Sequence, residues 1–468
     1  MNYQYALLAI ATTSLITGCK DSQLSLTGYV ASMACSKAFV SGFSTDQINQ
    51  QDLELITNGS SKNAKPNINS ANKSVSSKVL TTQKTAIYRD GLGCTLVGDS
   101  SGVSDEASLR NQVMPLIANV ELDENTPWPL GQQGVSVEAL SATEFNAIDG
   151  AADVQFSENK SYQVATHSIA TAHKGQLVYE RYASGINPQT PLYGFSLGKT
   201  LATLLAGKLS ANGQLNIHQP LFYSQWQDSR GDISAHHLLT MTSGLQFDES
   251  YEDATSDANM LFVADDMASL AINKAANSAA GQEFKYSTAN SLIFADYLNK
   301  QLGGLEKTYS EFQTLMRDIS VNNAVVQADG MGTMTFGMQD LISTRDLLRV
   351  GQFMLQEGRW NDQEIIPVSW FDYMRTAVTA AMRDENKLKK SYGAGIWLNH
   401  AEPYGKILPS LAEDAYLGLG MRGQYVIVIP SQELVIVRTG TTLDLDSFDY
   451  IGDIDLFSTI VAEQFKLK

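Results

Sequence analysis

Ser196 and Lys199 lie in the short stretch GFSLGKT, residues 194–200, which carries three overlapping chemical patterns. Gly194, Ser196 and Gly198 form G-x-S-x-G, a turn that presents a nucleophilic serine in one class of hydrolases. The GKT at its end resembles the end of a phosphate-binding loop. Ser196 and Lys199 also form S-x-x-K, a serine with an amine that can act as its base.

Two of these patterns fit their surroundings poorly. A phosphate-binding loop requires a glycine five positions before the glycine of GKT, and that position is Tyr193. The G-x-S-x-G turn of an α/β-hydrolase follows a buried strand, but residues 184–194 are polar and interrupted by proline. His400 is the later histidine at a suitable distance for such a triad. The phosphate loop is therefore excluded, and the α/β-hydrolase stays as a weaker alternative.

The S-x-x-K pattern at Ser196 is distinguished by the helix that follows it. The same pattern occurs at Ser70 and Ser157, so spacing alone carries little weight. After Ser196, leucines recur at helical spacing until Asn212-Gly213 supplies a stop. Lys199 then lies one turn from Ser196 on the same helix face, where burial would favour the neutral amine that accepts a proton. Backbone N–H groups at the helix start favour developing negative charge.

The S-x-x-K pattern at Ser196 belongs to the first of six sequence segments that together resemble one superfamily. In chain order they are YGFSLGKTLATLLAGKL, ISAHHLLTMTSGLQFDE, GQEFKYSTANSLIFADYL, MTFGMQDLISTRDLLRVGQFMLQEGRW, SYGAGIWLN and GLGMRGQYVIVIPSQELVIVRTG. With them, residues 150–468 resemble the serine β-lactamase and penicillin-binding-protein superfamily, in the branch near class C β-lactamases with carboxylesterases and 6-aminohexanoate-dimer hydrolases. The resemblance implies an α+β fold, with an antiparallel sheet flanked by helices and an all-helical lobe between the motifs.

The resemblance assigns catalytic roles to the first two motifs. Ser196 would be the nucleophile, and Lys199 and Tyr286 would move protons, with either of them as the first base. Tyr286-Ser287-Thr288 corresponds to the Tyr-x-Asn motif of the superfamily. Thr288 therefore replaces an amide that in relatives binds the substrate or the lysine, and it is a candidate substrate-binding residue.

The third motif departs further from the superfamily. Gly418-Leu419-Gly420 stands where relatives have Lys-Thr-Gly, so the cationic side chain is absent and Gly418 and Gly420 are the candidate substrate-binding positions. Met421 corresponds to the strand residue whose backbone N–H, with that of Ser196, would form the oxyanion hole. Loss of the cation favours neutral esters or amides over β-lactam carboxylates.

We therefore predict a serine hydrolase that cleaves a small ester or amide through a covalent acyl-serine, resembling carboxylesterases or 6-aminohexanoate-dimer hydrolases and needing no cofactor. One alternative is a β-lactamase or D-alanyl peptidase. Another is a cell-envelope binding protein that keeps the fold without turnover. His236-His237 lack metalloprotease spacing, so no metal is predicted.

The charge of the chain argues against a nucleic-acid partner. The chain contains 50 Asp and Glu and 33 Lys and Arg, which gives a formal net charge of −17. Binding of a polyanion requires clustered basic residues. The acidic run DESYEDATSD, residues 248–257, is expected to be a solvated loop; it borders the pocket in relatives, so selection of cationic substrates is a weaker hypothesis. Arg345 is expected to pair locally at a helix start.

The N-terminus has the pattern of an export signal. Residues 1–18 contain a short apolar stretch and end before Cys19, and Ile16 to Cys19 resemble the bacterial lipobox. The resemblance implies cleavage after Gly18, a lipid on Cys19, and, because Lys20 follows, an anchor in the outer membrane facing the periplasm. An ordinary secretory signal is the alternative.

The remaining N-terminal sequence, residues 19–140, is predicted to be a small accessory α/β domain that precedes the hydrolase domain, residues 141–468. Cys35 and Cys94 are an even pair in an oxidising compartment, so we predict a disulfide, with buried free thiols as the alternative. The polar tract from Asn58 to Lys78 is expected to be a solvated loop. Residues 125–132 are expected to be a linker or wrapping segment.

Overall fold

The computed structural model of the chain describes residues 20–53, 60–98, 104–112, 114, 118–135, 140–157, 164–251, 253–383, 388–442 and 449–466. The signal peptide, residues 1–18, and the lipidation site Cys19 lie outside these residues and stay predictions. Among the residues described, none of the helices combines the length and the apolar character needed to cross a membrane.

The described chain contains groups of consecutive helices and groups of consecutive strands. The helices are α1 (Lys20–Phe39), α2 (Thr45–Gln47), α3 (Glu106–Arg110), α4 (Ala142–Phe156), α5 (Leu197–Ala211), α6 (Ala235–Leu239), α7 (Asp257–Met260), α8 (Met267–Ile272), α9 (Thr288–Leu302), α10 (Leu305–Asp318), α11 (Thr344–Leu355), α12 (Val368–Arg375) and α13 (Asp449–Gln464). Shorter turns are a π-helix, Ile48–Leu53, and 3₁₀ helices Ser60–Asn63, Ser229–Asp232 and Pro430–Gln432.

The strands are β1 (Pro66–Asn69), β2 (Ser74–Val79), β3 (Thr82–Arg89), β4 (Gly93–Leu96), β5 (Val164–His173), β6 (Gln176–Tyr182), β7 (Pro191–Tyr193), β8 (Glu283–Phe284), β9 (Ala324–Val326), β10 (Asp340–Ser343), β11 (Arg359–Trp360), β12 (Gln363–Glu364), β13 (Ala381–Met382), β14 (Trp397–Leu398), β15 (Tyr416–Gly420), β16 (Gln424–Ile429) and β17 (Leu434–Thr442).

The central sheet is antiparallel, with spatial order β14-β15-β16-β17-β5-β6. Its two innermost strands, β16 and β17, are apolar on both faces over residues 426–429 and 434–437, because each face is covered by helices. Val426 and Val435 point into the core shared with α11, whereas Ile427 and Ile436 point into the core shared with α4 and α13. The predicted α+β fold, an antiparallel sheet flanked by helices, is confirmed.

The N-terminal part of the chain packs α1 against a four-stranded antiparallel sheet, β1-β2-β3-β4. The expectation of a solvated loop from Asn58 to Lys78 is wrong, because β1 and β2 lie within that tract. The buried face of β2 contains Val75 and Val79 with Ser77 between them, and the Ser77 hydroxyl donates a hydrogen bond to Ala64 O at 2.8 Å. A satisfied serine on the inner face made the strand look polar in the sequence.

A disulfide joins α1 to β4, as predicted for Cys35 and Cys94. Both cysteines are fully buried. Beside the disulfide, Gln327 Oε1 accepts hydrogen bonds from Ser36 Oγ at 3.0 Å and from Cys94 N. Gln339 Nε2 donates to Ser32 Oγ at 2.6 Å. The N-terminal part is thus hydrogen-bonded to the chain segment between β9 and β10.

Two arginines of α11 hold the predicted wrapping segment against the protein. Arg349 donates to Pro129 O at 2.9 Å and Gly131 O at 2.7 Å. Arg345 donates to Gln132 O at 2.7 Å and pairs with the Glu180 carboxylate of β6. The expectation that Arg345 pairs locally is wrong, since Glu180 lies 165 positions away in the sequence.

We predict that Cys35→Ala/Cys94→Ala lowers the free energy of unfolding. The disulfide closes a loop with a sequence separation of 59 residues, and the chain-entropy model gives about 4 kcal/mol for a loop of that length. Denaturant unfolding of the two proteins measures the difference. A reductant should destabilise the parent protein and leave the double variant unchanged; equal unfolding midpoints for parent and variant without reductant contradict the prediction.

Candidate active site

The Ser196 hydroxyl stands at the start of α5 without taking part in capping it. Strand β7 leads into the turn, Phe195 adopts a left-handed φ of 49°, and Ser196 occupies the N-cap position with φ −61° and no side-chain cap hydrogen bond. The strand before the serine is a three-residue edge strand of an antiparallel sheet, β7-β10-β9. This differs from the buried strand that the α/β-hydrolase alternative requires.

Lys199 lies one turn further along α5, and its side chain is buried, with only 3% of the residue exposed. Its Nζ contacts three oxygen atoms, each from a different part of the chain. The distances are 3.1 Å to Ser196 Oγ, 3.2 Å to Thr288 Oγ1 and 3.3 Å to Gly337 O. The serine and the amine predicted from S-x-x-K spacing are therefore in hydrogen-bond contact.

The turn at Gly337 is built around the lysine side chain. Gly337 has φ 81°, and a Cβ atom there would lie 2.7 Å from Lys199 Cγ and 2.8 Å from Lys199 Nζ. Glycine is required by both the backbone conformation and the space. The sequence did not predict this turn, because nothing in the residues around Gly337 marks its approach to a lysine 138 positions earlier.

Asp340 links the Gly337 turn by hydrogen bonds to the turn that carries Ser196, residues 194–196, called here the serine turn. Its Oδ2 accepts a hydrogen bond from Gly337 N at 2.6 Å, and its backbone O accepts one from Gly194 N at 2.8 Å. Burial raises the pKa of the Asp340 carboxyl well above its usual range, while the hydrogen bond from Gly337 and the neighbouring Lys199 oppose that shift. Asp340 is a second residue that sequence reasoning missed.

Tyr286 stands beside the amine in an aromatic cluster. The centroid of its ring lies 4.9 Å from Lys199 Nζ. The ring stacks on Trp397 with centroids 5.3 Å apart and meets Tyr392 edge-on at 5.9 Å. Two aromatic neighbours thus fix the orientation of the phenol ring at the site, and its predicted role in proton transfer stays a prediction.

Thr288, at the first position of α9, connects the lysine to an acidic residue. Its Oγ1 donates to Glu249 Oε1 at 2.5 Å, and its backbone N donates to Glu249 Oε2 at 2.8 Å. Glu249 lies in the acidic run 248–257, where a solvated loop was expected. That expectation is wrong for Glu249, because both of its carboxylate oxygens bind Thr288.

Strand β15 packs against the serine turn through Gly418 and Gly420, the two glycines of the third motif. A Cβ atom at Gly418 would lie 2.8 Å from Leu197 Cδ2, and one at Gly420 would lie 2.1 Å from Gly194 O. Met421 follows directly and is half-buried. These contacts bring β15 next to the serine turn; the oxyanion-hole roles of the Ser196 and Met421 backbones stay predictions.

The paired histidines have packing roles. His236 Nδ1 lies 3.0 Å from Tyr373 Oη, and His237 Nδ1 accepts from Ser234 N at 3.1 Å at the start of α6. Burial, with a further contribution from neighbouring His237 and His218, lowers the pKa of His236 to about 4. Across the described ranges, no three His, Cys, Asp or Glu side chains are grouped to hold a metal ion.

Known structures share this fold. A proposed 6-aminohexanoate-dimer hydrolase from Bacillus anthracis has a TM-score of 0.54 at 18% identity, covering 64% of this chain and 81% of that chain. A proposed β-lactamase from Bacteroides dorei has a TM-score of 0.54 at 16% identity, covering 70% and 99%. EstA from Arthrobacter nitroguajacolicus Rue61a has a TM-score of 0.51 at 11% identity, covering 72% and 99%. At these identities the likeness shows the fold alone.

The family is established by the sequence itself. No curated protein matches the chain. Residues 145–452, about two thirds of its length, match the family model described as Beta-lactamase. The matched range contains the serine turn, the Tyr286 motif and strand β15. The chain therefore belongs to the β-lactamase family of serine hydrolases.

Proposed function

We propose that the protein hydrolyses a small, neutral ester or amide through an acyl-serine on Ser196. The observation that carries the proposal is the buried Lys199 amine, 3.1 Å from Ser196 Oγ. A serine hydroxyl is a weak nucleophile unless a base within hydrogen-bond reach takes its proton. Lys199 is at that distance, and its other contacts are also with uncharged oxygen atoms.

The reaction proceeds in two halves. In its neutral form, Lys199 Nζ takes the proton of Ser196 Oγ as the oxygen attacks the substrate carbonyl carbon, and the carbonyl oxygen becomes negatively charged. The backbone N–H groups of Ser196 and Met421 bind that oxyanion. Tyr286 donates a proton to the leaving alcohol or amine as the carbon–heteroatom bond breaks, and the protonated Lys199 returns a proton to the Tyr286 oxygen. Water then releases the acid from Ser196 by the reverse sequence of proton transfers.

The preference for a neutral substrate rests on the third motif. Gly418 stands where relatives have the lysine of Lys-Thr-Gly, which presents a cation to a β-lactam carboxylate. Within the acidic run, Glu249 binds Thr288 and Asp257 pairs with Lys274, so these two carboxylates already have partners other than a cationic substrate. A carboxylesterase or an amidase resembling 6-aminohexanoate-dimer hydrolases fits these surroundings better than a β-lactamase or D-alanyl peptidase.

The proposed location is the bacterial cell envelope. Cleavage after Gly18 leaves Cys19 to carry the lipid, in an outer-membrane anchor facing the periplasm. The Cys35–Cys94 disulfide is compatible with an oxidising compartment. Lys20 lies in α1, and Gln23 of the same helix is already buried, so a lipid on Cys19 would hold the folded protein close to the bilayer.

We predict that Ser196→Ala lowers kcat on p-nitrophenyl esters by roughly 10⁴-fold or more, and that Lys199→Ala lowers it by about 10²- to 10⁴-fold. A fluorophosphonate probe is expected to label the parent protein at Ser196. The matched control is Ser210→Ala on the same helix, whose hydroxyl has no hydrogen-bond partner among the described residues; it should keep parental kcat.

The outcomes of this experiment separate the alternatives. Equal turnover by the parent, Ser196→Ala and Lys199→Ala contradicts the mechanism. No probe labelling and no turnover on esters or amides supports a binding protein without catalysis. Stable labelling of Ser196 by a fluorescent penicillin, with no ester turnover, supports the β-lactam alternative.

For Tyr286, we predict that Tyr286→Phe lowers kcat by about 10²- to 10⁴-fold, because it removes the proton donor for the leaving group. The ring that stacks on Trp397 is retained, so the unfolding temperature should stay the same. Tyr392→Phe, in the same aromatic cluster, is the control with expected parental kcat. A Tyr286→Phe enzyme with undiminished kcat assigns the proton transfer to Lys199 alone.

Cys19→Ala is predicted to release the protein from the membrane fraction of cells that process lipoproteins. Metabolic labelling with a palmitate analogue should mark the parent protein, and mass spectrometry of the N-terminal peptide should place the lipid on Cys19. Recovery of unlabelled parent protein in the soluble periplasmic fraction indicates an ordinary secretory signal instead.

A further inference from the structure

We propose that Glu249, acting through Thr288, orients the lone pair of Lys199 toward Ser196. Glu249 is thus a positioning residue, and the inference rests on the proposed function because it concerns the same proton transfer. Its basis is the hydrogen-bond chain from Glu249 to Thr288 to Lys199 to Ser196, in which each contact is 3.2 Å or shorter.

The geometry around Lys199 leaves one position for the lone pair. A neutral amine has two N–H bonds and one lone pair, and among the residues that the structure describes Lys199 Nζ has three oxygen neighbours. Gly337 O is a carbonyl oxygen and only accepts hydrogen bonds, so it takes one N–H. Which of the other two neighbours receives the second N–H then decides whether the amine can act as a base toward Ser196.

Thr288 receives that second N–H because of Glu249. A hydroxyl has one hydrogen, and a carboxylate only accepts hydrogen bonds. With the Thr288 hydrogen donated to Glu249 Oε1 at 2.5 Å, the Thr288 oxygen can only accept from Lys199 at 3.2 Å. The remaining position, the lone pair, faces Ser196 Oγ, whose O–H can donate to it.

The second carboxylate oxygen fixes the acid itself. Glu249 Oε2 accepts from the Thr288 backbone N at 2.8 Å, and the Tyr251 hydroxyl lies 3.4 Å from Oε1. The arrangement resembles the way a carboxylate fixes the tautomer of the histidine in a catalytic triad. It also accounts for Thr288 in place of the asparagine of Tyr-x-Asn: an amide oxygen only accepts, whereas a hydroxyl can also donate, and it acts toward Lys199 only as an acceptor when its hydrogen is held elsewhere.

Glu249→Gln tests the proposal with almost no change in shape. An amide nitrogen in place of Oε1 would donate to Thr288 Oγ1 and turn the Thr288 hydrogen toward Lys199. If the amide nitrogen instead took the place of Oε2, it would face the Thr288 backbone N–H, and two donors cannot form a hydrogen bond. We expect kcat on a p-nitrophenyl ester to fall about 10- to 100-fold, as when a residue that orients a metal ligand by a hydrogen bond is replaced. KM should stay unchanged because the step affected is chemical.

A double-mutant cycle shows whether Glu249 acts through Thr288. Thr288→Val removes the hydroxyl and should lower kcat by a similar factor, and Glu249→Gln/Thr288→Val should lower it no further. Thr288→Ser, which restores a hydroxyl, should recover activity relative to Thr288→Val. Asp253→Asn is the control: it removes one charge from the same acidic run, at an exposed residue whose carboxylate accepts hydrogen bonds from Thr255 N and Oγ1, and should keep parental kcat.

Two results would overturn the proposal: parental kcat in folded Glu249→Gln, or losses that multiply in the double variant. Thermal unfolding of each variant identifies any that fail to fold, and the Thr288→Val and Thr288→Ser pair then supplies the test. Failure here is distinct from failure of the proposed function, because Ser196→Ala and Lys199→Ala stay inactive if only the role of Glu249 is wrong.

Discussion

The contact between the buried Lys199 amine and Ser196 Oγ is the interaction on which the rest of the site depends. The two residues share one turn of α5, but the other partners of the amine come from α9 and from the Gly337 turn. A buried polar group that loses its partners is costly, so these segments must meet around one nitrogen atom. The close fit extends to Gly198, where a Cβ atom would lie 2.0 Å from Asp340 Oδ2.

The parts of this arrangement that the sequence predicted are the local ones. The Ser196–Lys199 pair follows from helix geometry, and its helix ends before Asn212-Gly213 as the sequence indicated. The turn between β5 and β6 is likewise local, since Lys174 and Gly175 adopt left-handed φ values between the two paired strands. In each case, the residues that determine the feature lie within a few positions of one another.

The parts that the sequence did not predict depend on distant segments. Glu249 reaches Thr288 from 39 positions away, and Gly337 reaches Lys199 from 138. An acidic residue in a polar run has the same local pattern whether it faces solvent or a buried hydroxyl. Only the tertiary fold distinguishes the two, as it does for Ser77, which lies on the inner face of β2 although its residue type suggested a loop.

The departures in the second and third motifs have a common physical character. At the second motif, Thr288 with Glu249 supplies an acceptor to Lys199 without an amide. At the third, Gly418 stands in place of the lysine of relatives, and a Cβ atom there would lie 2.8 Å from Leu197 Cδ2, closer than two carbon atoms normally approach. In both places backbone and neutral groups stand where relatives use an amide or a cation. Neutral groups bind a carbonyl oxygen through hydrogen bonds but offer no ion pair to a carboxylate, and this is the physical basis for proposing a neutral substrate.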